Sequence, residues 1–171
     1  VVIENSELTA LRAEMCAKAD VLFEGKFTEQ AYAAEWNAAL DEAKARINKL
    51  GTSDAEKMQG IVDELTKTGQ DILDRQQLYI AQTGYVKILK EYYSSLKFET
   101  DSQKKMADET LNAAVDKISK ATSIDAASKA LEDAKAALKD IAEQKETTLD
   151  ELKEAAKAEI NDKAKVINDS T

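Results

Sequence analysis

The side chains that carry most enzyme chemistry are thinly supplied in this chain. Its 171 residues include no His and a single Cys. Without imidazole there is no Ser-His or Cys-His nucleophile system and no zinc site with a His ligand. One thiol, Cys16, forms neither an internal disulfide nor a four-thiolate site. Beside Met15, it reads as a small, partly buried apolar side chain. Carboxylates are plentiful, with 33 Asp+Glu against 24 Lys+Arg. The pairs Asp41-Glu42, Asp63-Glu64 and Asp108-Glu109, however, are sequence neighbours and point about 100° apart on a helix. They form no dyad facing across a cleft, as glycoside hydrolysis requires. Asp125, Glu132, Asp133, Asp140 and Glu143 lack the spacing of a calcium loop. No catalytic residue, metal ligand or cofactor is expected, and the chain is not read as an enzyme.

The aromatic group Tyr79, Tyr85, Tyr92 and Tyr93 is the strongest candidate for binding. Exposed tyrosine supplies large contact area at small entropic loss and suits recognition surfaces. Tyr85 and Tyr92 share one helical stripe, and Tyr79, Val86 and Tyr93 share another. Tyr92 and Tyr93 are consecutive, so both are not expected to face one core. The alternative, which the helical spacing favours, is packing at a junction between two modules.

The net charge of −9 argues against a nucleic-acid partner, which needs a basic face, and against docking on anionic membranes. Residues 1–84 carry 15 acids and 9 bases and residues 85–171 carry 18 and 15; all three arginines, Arg12, Arg46 and Arg75, lie in the first part. No run approaches the length of a membrane span. The first residues are Val1-Val2 rather than Met, which reads as an excised or processed segment, expected to be monomeric.

The elements beneath these side chains are helical throughout. There is no Pro, there are five Gly, and 43% of residues are hydrophobic. Leu8, Leu11, Met15, Ala19 and Leu22 predict a first helix starting near Asn5 and Ser6 and ending around Glu24-Gly25-Lys26. Thr28 is the expected cap of a second helix, with Phe27 and Tyr32 as its hydrophobic staple. That helix carries Trp36, Leu40, Ala43, Ile47 and Leu50 and ends at Gly51. Ser53 with Glu56 is the expected capping box of a third, whose stripe is Met58, Ile61, Val62, Leu65, Gly69, Ile72, Leu73 and Ile80. Gly60 and Gly69 would permit close helix approach, or else weaken the helix by about 1 kcal/mol each. At Gln82-Thr83-Gly84 the buried face turns to Leu78, Tyr85, Leu89, Tyr92 and Leu96, through a continuing or kinked helix. Thr100 with Gln103 is the expected start of a helix carrying Met106, Leu111, Ala114, Val115 and Ile118. After a break near Thr122-Ser123, heptads run through Ile124, Ala127, Leu131, Ala134, Leu138 and Ile141. Leu149, Leu152, Ala156, Ile160 and Ala164 follow out of register, and Thr148 with Glu151 is a possible new start.

Composition changes along the chain as well. No aromatic follows Phe98, while 15 alanines lie from Ala107 to Ala164. The expected fold is all-α and elongated, with two three-helix-bundle-like modules in series, residues 1–82 and 83–171, joined through a shared or kinked long helix.

Residues 8–72 resemble a FIVAR module, a three-helix extracellular module. Leu11, Phe27-Thr28, Trp36, Ala39-Leu40 and Ala43 match its pattern, and Met15 stands where Ile is usual. The phrases VDKISKATSIDAASKALEDAKAALKDI and LKEAAKAEINDKAKVI resemble helical repeats of giant wall-anchored adhesins of Gram-positive bacteria. Residues 79–102 match neither. The resemblance implies an extracellular or cell-wall-attached stalk that spaces and contacts a host protein or glycan. It brings no catalytic residues. The alternatives are an extracytoplasmic ligand-sensing bundle of a receptor and an intracellular coiled-coil scaffold. Low cysteine usage fits the cytosol and a Gram-positive surface alike.

Overall fold

The structure is a computed structural model that describes residues 2–143. Its helices are α1 (Val2–Asp20), α2 (Gln30–Ile47), α3 (Ala55–Ser95), α4 (Asp101–Ser119) and α5, whose described part covers residues 124–143. A 3-10 turn at Thr52–Asp54 precedes α3, and no strand occurs among the described residues. The protein is all-α. It falls into two compact units, one ending at Ile80 and the other starting at Ala81. Helix α3 has 41 residues and runs through that point uninterrupted, with Gln82, Thr83 and Gly84 all helical.

In the first unit, α1 and α2 run antiparallel. The Lys44 ammonium lies 2.8 Å from the Asp20 carboxylate, and Arg12 donates from Nε and Nη2 to the Leu50 carbonyl at 3.1 and 2.7 Å. Helices α2 and α3 are also antiparallel, as the Arg46–Glu64 and Arg75–Glu35 pairs require. The core is Met15, Ala19, Trp36, Ala43, Ile47, Met58, Ile61, Val62, Leu65 and Ile72, which are the expected stripes meeting face to face. Ile80 departs from its expected stripe and is 44% exposed.

The turns differ more from expectation. Helix α1 begins at Val2, ahead of Asn5 and Ser6, and ends at Asp20, earlier than Gly25. Gly25 is left-handed at φ 70°, as a helix-ending glycine should be, but Phe23 is left-handed too, at φ 54°. That conformation costs a non-glycine residue about 1–2 kcal/mol. It is offset by aromatic contacts worth about 0.5–1.5 kcal/mol each. The Phe23 ring stands edge-on to Trp36 with centroids 5.3 Å apart, and Phe27 stacks on Trp36 at 5.4 Å. Gly69 makes room for this trio: a Cβ there would overlap the Phe23 ring edge and stand 2.8 Å from Cζ3 of Trp36. Gly60, by contrast, faces open space.

Helix α2 starts at Gln30, and its cap position, Glu29, makes no side-chain cap bond. The expected Thr28 cap is replaced by a side chain from α3, described below. The expected staple is replaced as well: Phe27 is taken up by Trp36, and Tyr32 packs on Tyr79 at 5.7 Å. In place of the Ser53–Glu56 box, Asp54 Oδ2 accepts from the Gly51 N–H at 3.1 Å, closing the 3-10 turn that leads into α3.

In the second unit, α4 runs antiparallel to the end of α3 and to α5. Its core is Leu89, Ala107, Ala114, Ile118, Ala127, Ala130, Leu131, Ala134 and Leu138. The heptads expected from Ala127 to Leu138 are buried and Ile141 is half-buried, but Ile124 is 40% exposed. Met106 is 52% exposed and the neighbouring Ala107 fully buried, so the α4 stripe is one position off expectation there. Small alanine lets the helices approach closely where Met would hold them apart. The expected Thr100 cap is present: Thr100 Oγ1 accepts from the Gln103 N–H at 3.3 Å. Ser123 Oγ accepts from Ala126 N–H at 3.1 Å and starts α5. The expectations for Thr148, Glu151, Leu149, Leu152, Ala156, Ile160 and Ala164 fall outside the described residues.

Candidate functional site

Two polar side chains are buried among the described residues, Gln76 and Gln103, at 2% and 4% exposure. A buried carboxamide must satisfy both its oxygen and its amide hydrogens. Gln76 Oε1 accepts from the backbone N–H groups of Thr28 and Glu29, both at 3.0 Å, while its Nε2 donates to the Lys26 carbonyl at 2.9 Å. It thereby does the work of the absent N-cap of α2 from a neighbouring helix. Gln103 does comparable work in the second unit, from within α4 itself and beside its Thr100 cap. Its Oε1 accepts from Glu99 and Thr100 N–H at 2.8 and 3.3 Å, and its Nε2 donates to the Ile141 carbonyl at 3.0 Å. Each glutamine holds a helix start against another segment, so both are fully occupied by backbone groups. Gln82 is related in kind, donating to the carbonyls of Ser119 and Ala121 where α4 ends.

The three arginines are placed between elements of the first unit. Arg75 forks onto Glu35 through Nη1 and Nη2, at 3.0 and 2.5 Å, and its Nε reaches Asp71 at 3.0 Å. The hydrogen bonds that Arg75 donates to Glu35 hold the Glu35 carboxyl below the ordinary carboxylate range and push Arg75 further up. Asp54 is lowered chiefly by the Gly51 N–H, and Lys44 is raised by its bond to Asp20. The Arg75–Glu35 and Lys44–Asp20 pairs tie helices together at the surface, while Asp54 and Asp71 act within their own turns. Among the described residues, no cluster of His, Cys, Asp or Glu is placed to hold a metal ion. No described helix is long and apolar enough to cross a membrane.

The four tyrosines are divided between the units. Tyr79 lies in the first and is 44% exposed, against Tyr32. Tyr85, Tyr92 and Tyr93 are half-buried on the core of the second. Both consecutive tyrosines pack on that core, against expectation, because α3 has a neighbour on each side. Tyr92 lies under Lys135 of α5, with Nζ 5.6 Å from the ring centroid. Tyr93 packs on Phe98 and donates its hydroxyl to Asp108 of α4. The Asp108 carboxylate accepts the phenolic proton and so raises the Tyr93 pKa. Cys16 is half-buried, and its thiol faces Asn48 Oδ1 at 3.8 Å.

One feature escaped the sequence reading. The α2–α3 seam opens into a groove of about 510 Å³ bordered by Arg46, Lys49, Leu50, Lys57, Gly60 and Ile61, with Glu64 paired to Arg46. A narrower hollow continues it past Ala39, Ala43 and Leu65. The individual residues were visible in the sequence. Their convergence depends on the antiparallel register of α2 and α3, which periodicity does not supply.

No protein-family model, no curated protein and no solved structure matches this chain.

Proposed function

We propose that the chain is a non-enzymatic helical stalk and adhesion module of a bacterial surface or secreted protein, which spaces and contacts a host protein or glycan. In this reading the first unit is FIVAR-like and the second is an adhesin-type helical repeat. The observation that carries the reading is α3, which runs unbroken from Ala55 to Ser95 and supplies Ile72 to one core and Leu89 to the other. A spacer gains from a connection with no flexible loop. The buried polar groups support the reading too, since Gln76 and Gln103 are both committed to backbone groups and neither is poised for chemistry. A surface with acids in excess favours solubility and discourages self-association.

Small-angle scattering of the 171-residue chain tests this reading. A stalk gives a radius of gyration well above the roughly 15–16 Å expected of a compact domain of this length. A value within that range overturns it.

A further inference from the structure

The groove between α2 and α3 has a character opposite to that of its surroundings. Residues 1–80 carry 15 acids and 9 bases. Three of those bases, Arg46, Lys49 and Lys57, nevertheless border this one groove, with Glu64 as its single acid. Glu64 is neutralised by Arg46 at 3.1 Å. Lys57 reaches Asp54 at 3.4 Å but keeps 74% of its side chain exposed. Lys49 pairs with no carboxylate among the described residues. The floor is apolar: Ile61 is buried, Leu50 is half-buried, and Gly60 presents no side chain and has nothing within 4 Å of where a Cβ would lie. Beyond the Arg46–Glu64 pair the seam continues over Ala39, Ala43 and Leu65, with Glu42 and Thr68 at its rim, so the unneutralised cations lie at the Lys49 end alone. From Ala39 to Ile47 it runs roughly 12 Å along α2, about two turns of a guest helix, before reaching Lys49 and Leu50 beyond the helix end.

An apolar floor with cations at one end suits a ligand with apolar anchors at helical spacing and acids at the matching end. A neutral glycan would seek an aromatic platform, and no aromatic ring borders this groove. A sulfated glycan would leave the apolar floor unused. We propose that the α2–α3 groove is the docking site for an acidic amphipathic helical segment of a partner protein. This rests on the reading of the chain as a contact module and names the chemistry of one contact. Lys49 and Lys57 engage the acids, while Leu50, Gly60 and Ile61 receive the apolar side chains. The contact weakens with salt, because its charges lie at an exposed rim.

The test is a titration of the isotope-labelled full chain, followed by amide NMR shifts. The probes are a synthetic Leu/Glu amphipathic helical peptide, its Leu/Lys counterpart and a sulfated oligosaccharide. The expected result is saturable shifts at Lys49, Leu50, Gly60 and Ile61 with the acidic peptide alone. Lys49→Ala with Lys57→Ala should weaken that binding by about two- to thirtyfold, the scale of losing two exposed charge pairs. Gly60→Leu, whose Cβ enters open space and whose side chain then occupies the groove, should abolish it. Circular dichroism and melting temperature report folding of each variant. The proposal is overturned if the acidic peptide leaves these amides unmoved, if the variants bind it as well as the parent, if the basic peptide binds equally, or if only the oligosaccharide shifts these amides. None of those outcomes alters the scattering result, so failure here is distinguishable from failure of the stalk reading.

Discussion

Gln76 Oε1 lies 3.0 Å from the backbone nitrogen of Thr28, so a side chain of α3 caps the start of α2 across 48 residues of sequence. The bond ties a local problem, the unpaired N–H groups at a helix start, to a tertiary contact. Replacing Gln76 with Ala strands the N–H groups of Thr28 and Glu29 and the carbonyl of Lys26. Gln76→Ala should destabilise the first unit by about 2 kcal/mol, each unmade buried bond costing about 1–3 and water at the exposed edge recovering part. Gln103→Ala should do the same to the second. Urea titrations followed by Trp36 fluorescence for the first unit, and by far-ultraviolet circular dichroism for the second, check this. No change in either midpoint would remove the glutamines from the account.

Two glycines of one helix should respond with opposite signs to the same change. Gly69→Ala drives a methyl group into the Phe23 and Trp36 rings, and overpacking of this kind costs about 1–3 kcal/mol. Gly60→Ala adds a methyl to open space and should stabilise α3 by up to about 1 kcal/mol through helix propensity. Thermal melts of the two variants side by side decide it.

The acid side of the pH profile should report Glu35. Its folded pKa is lowered, chiefly by the hydrogen bond from Arg75. Its contribution is therefore complete above the unfolded carboxylate value and fades as pH falls through the lower, folded one. A carboxyl NMR titration should place Glu35 below the ordinary glutamate range, and Arg75→Met should return it towards that range. Both carboxylates of the first unit that are lowered, Glu35 and Asp54, act in the same direction.

The alkaline side should report Tyr93, whose pKa is raised by its bond to Asp108. The neutral phenol is the favoured form, so this contribution is complete below the unfolded tyrosine value and is lost as pH rises through the higher, folded one. Ultraviolet difference titration should show one tyrosine ionising late, and Asp108→Asn should shift it back towards the ordinary range.

The α1, α2 and α3 stripes through Met15, Trp36, Ile61 and Ile72 were legible in the sequence because an apolar period of 3.6 has few alternatives over so many turns. The Thr100–Gln103 cap was legible because both partners lie within one turn. What was not legible depends on neighbours. Phe23 adopts a left-handed conformation because Trp36 and Gly69 await its ring, and Thr28 yields its capping role because Gln76 reaches it from α3. The signal for Gln76 was present: it falls four residues after Ile72, a polar residue on a buried stripe. Tyr92 and Tyr93 both pack because α4 and α5 flank α3, an arrangement that a single-core reading of adjacent residues excludes. The α2–α3 groove depends on which turn of α2 meets which turn of α3, and hydrophobic spacing is silent on that.

The stalk reading rests most directly on α3 being a single helix through Ile80 and Ala81. Carbon secondary chemical shifts along residues 77–85 measure this. Helical shifts that continue without a break through Ile80, Ala81, Gln82, Thr83 and Gly84 are the result expected of an α3 that spans Ala55–Ser95. Random-coil shifts at any of these positions would contradict it.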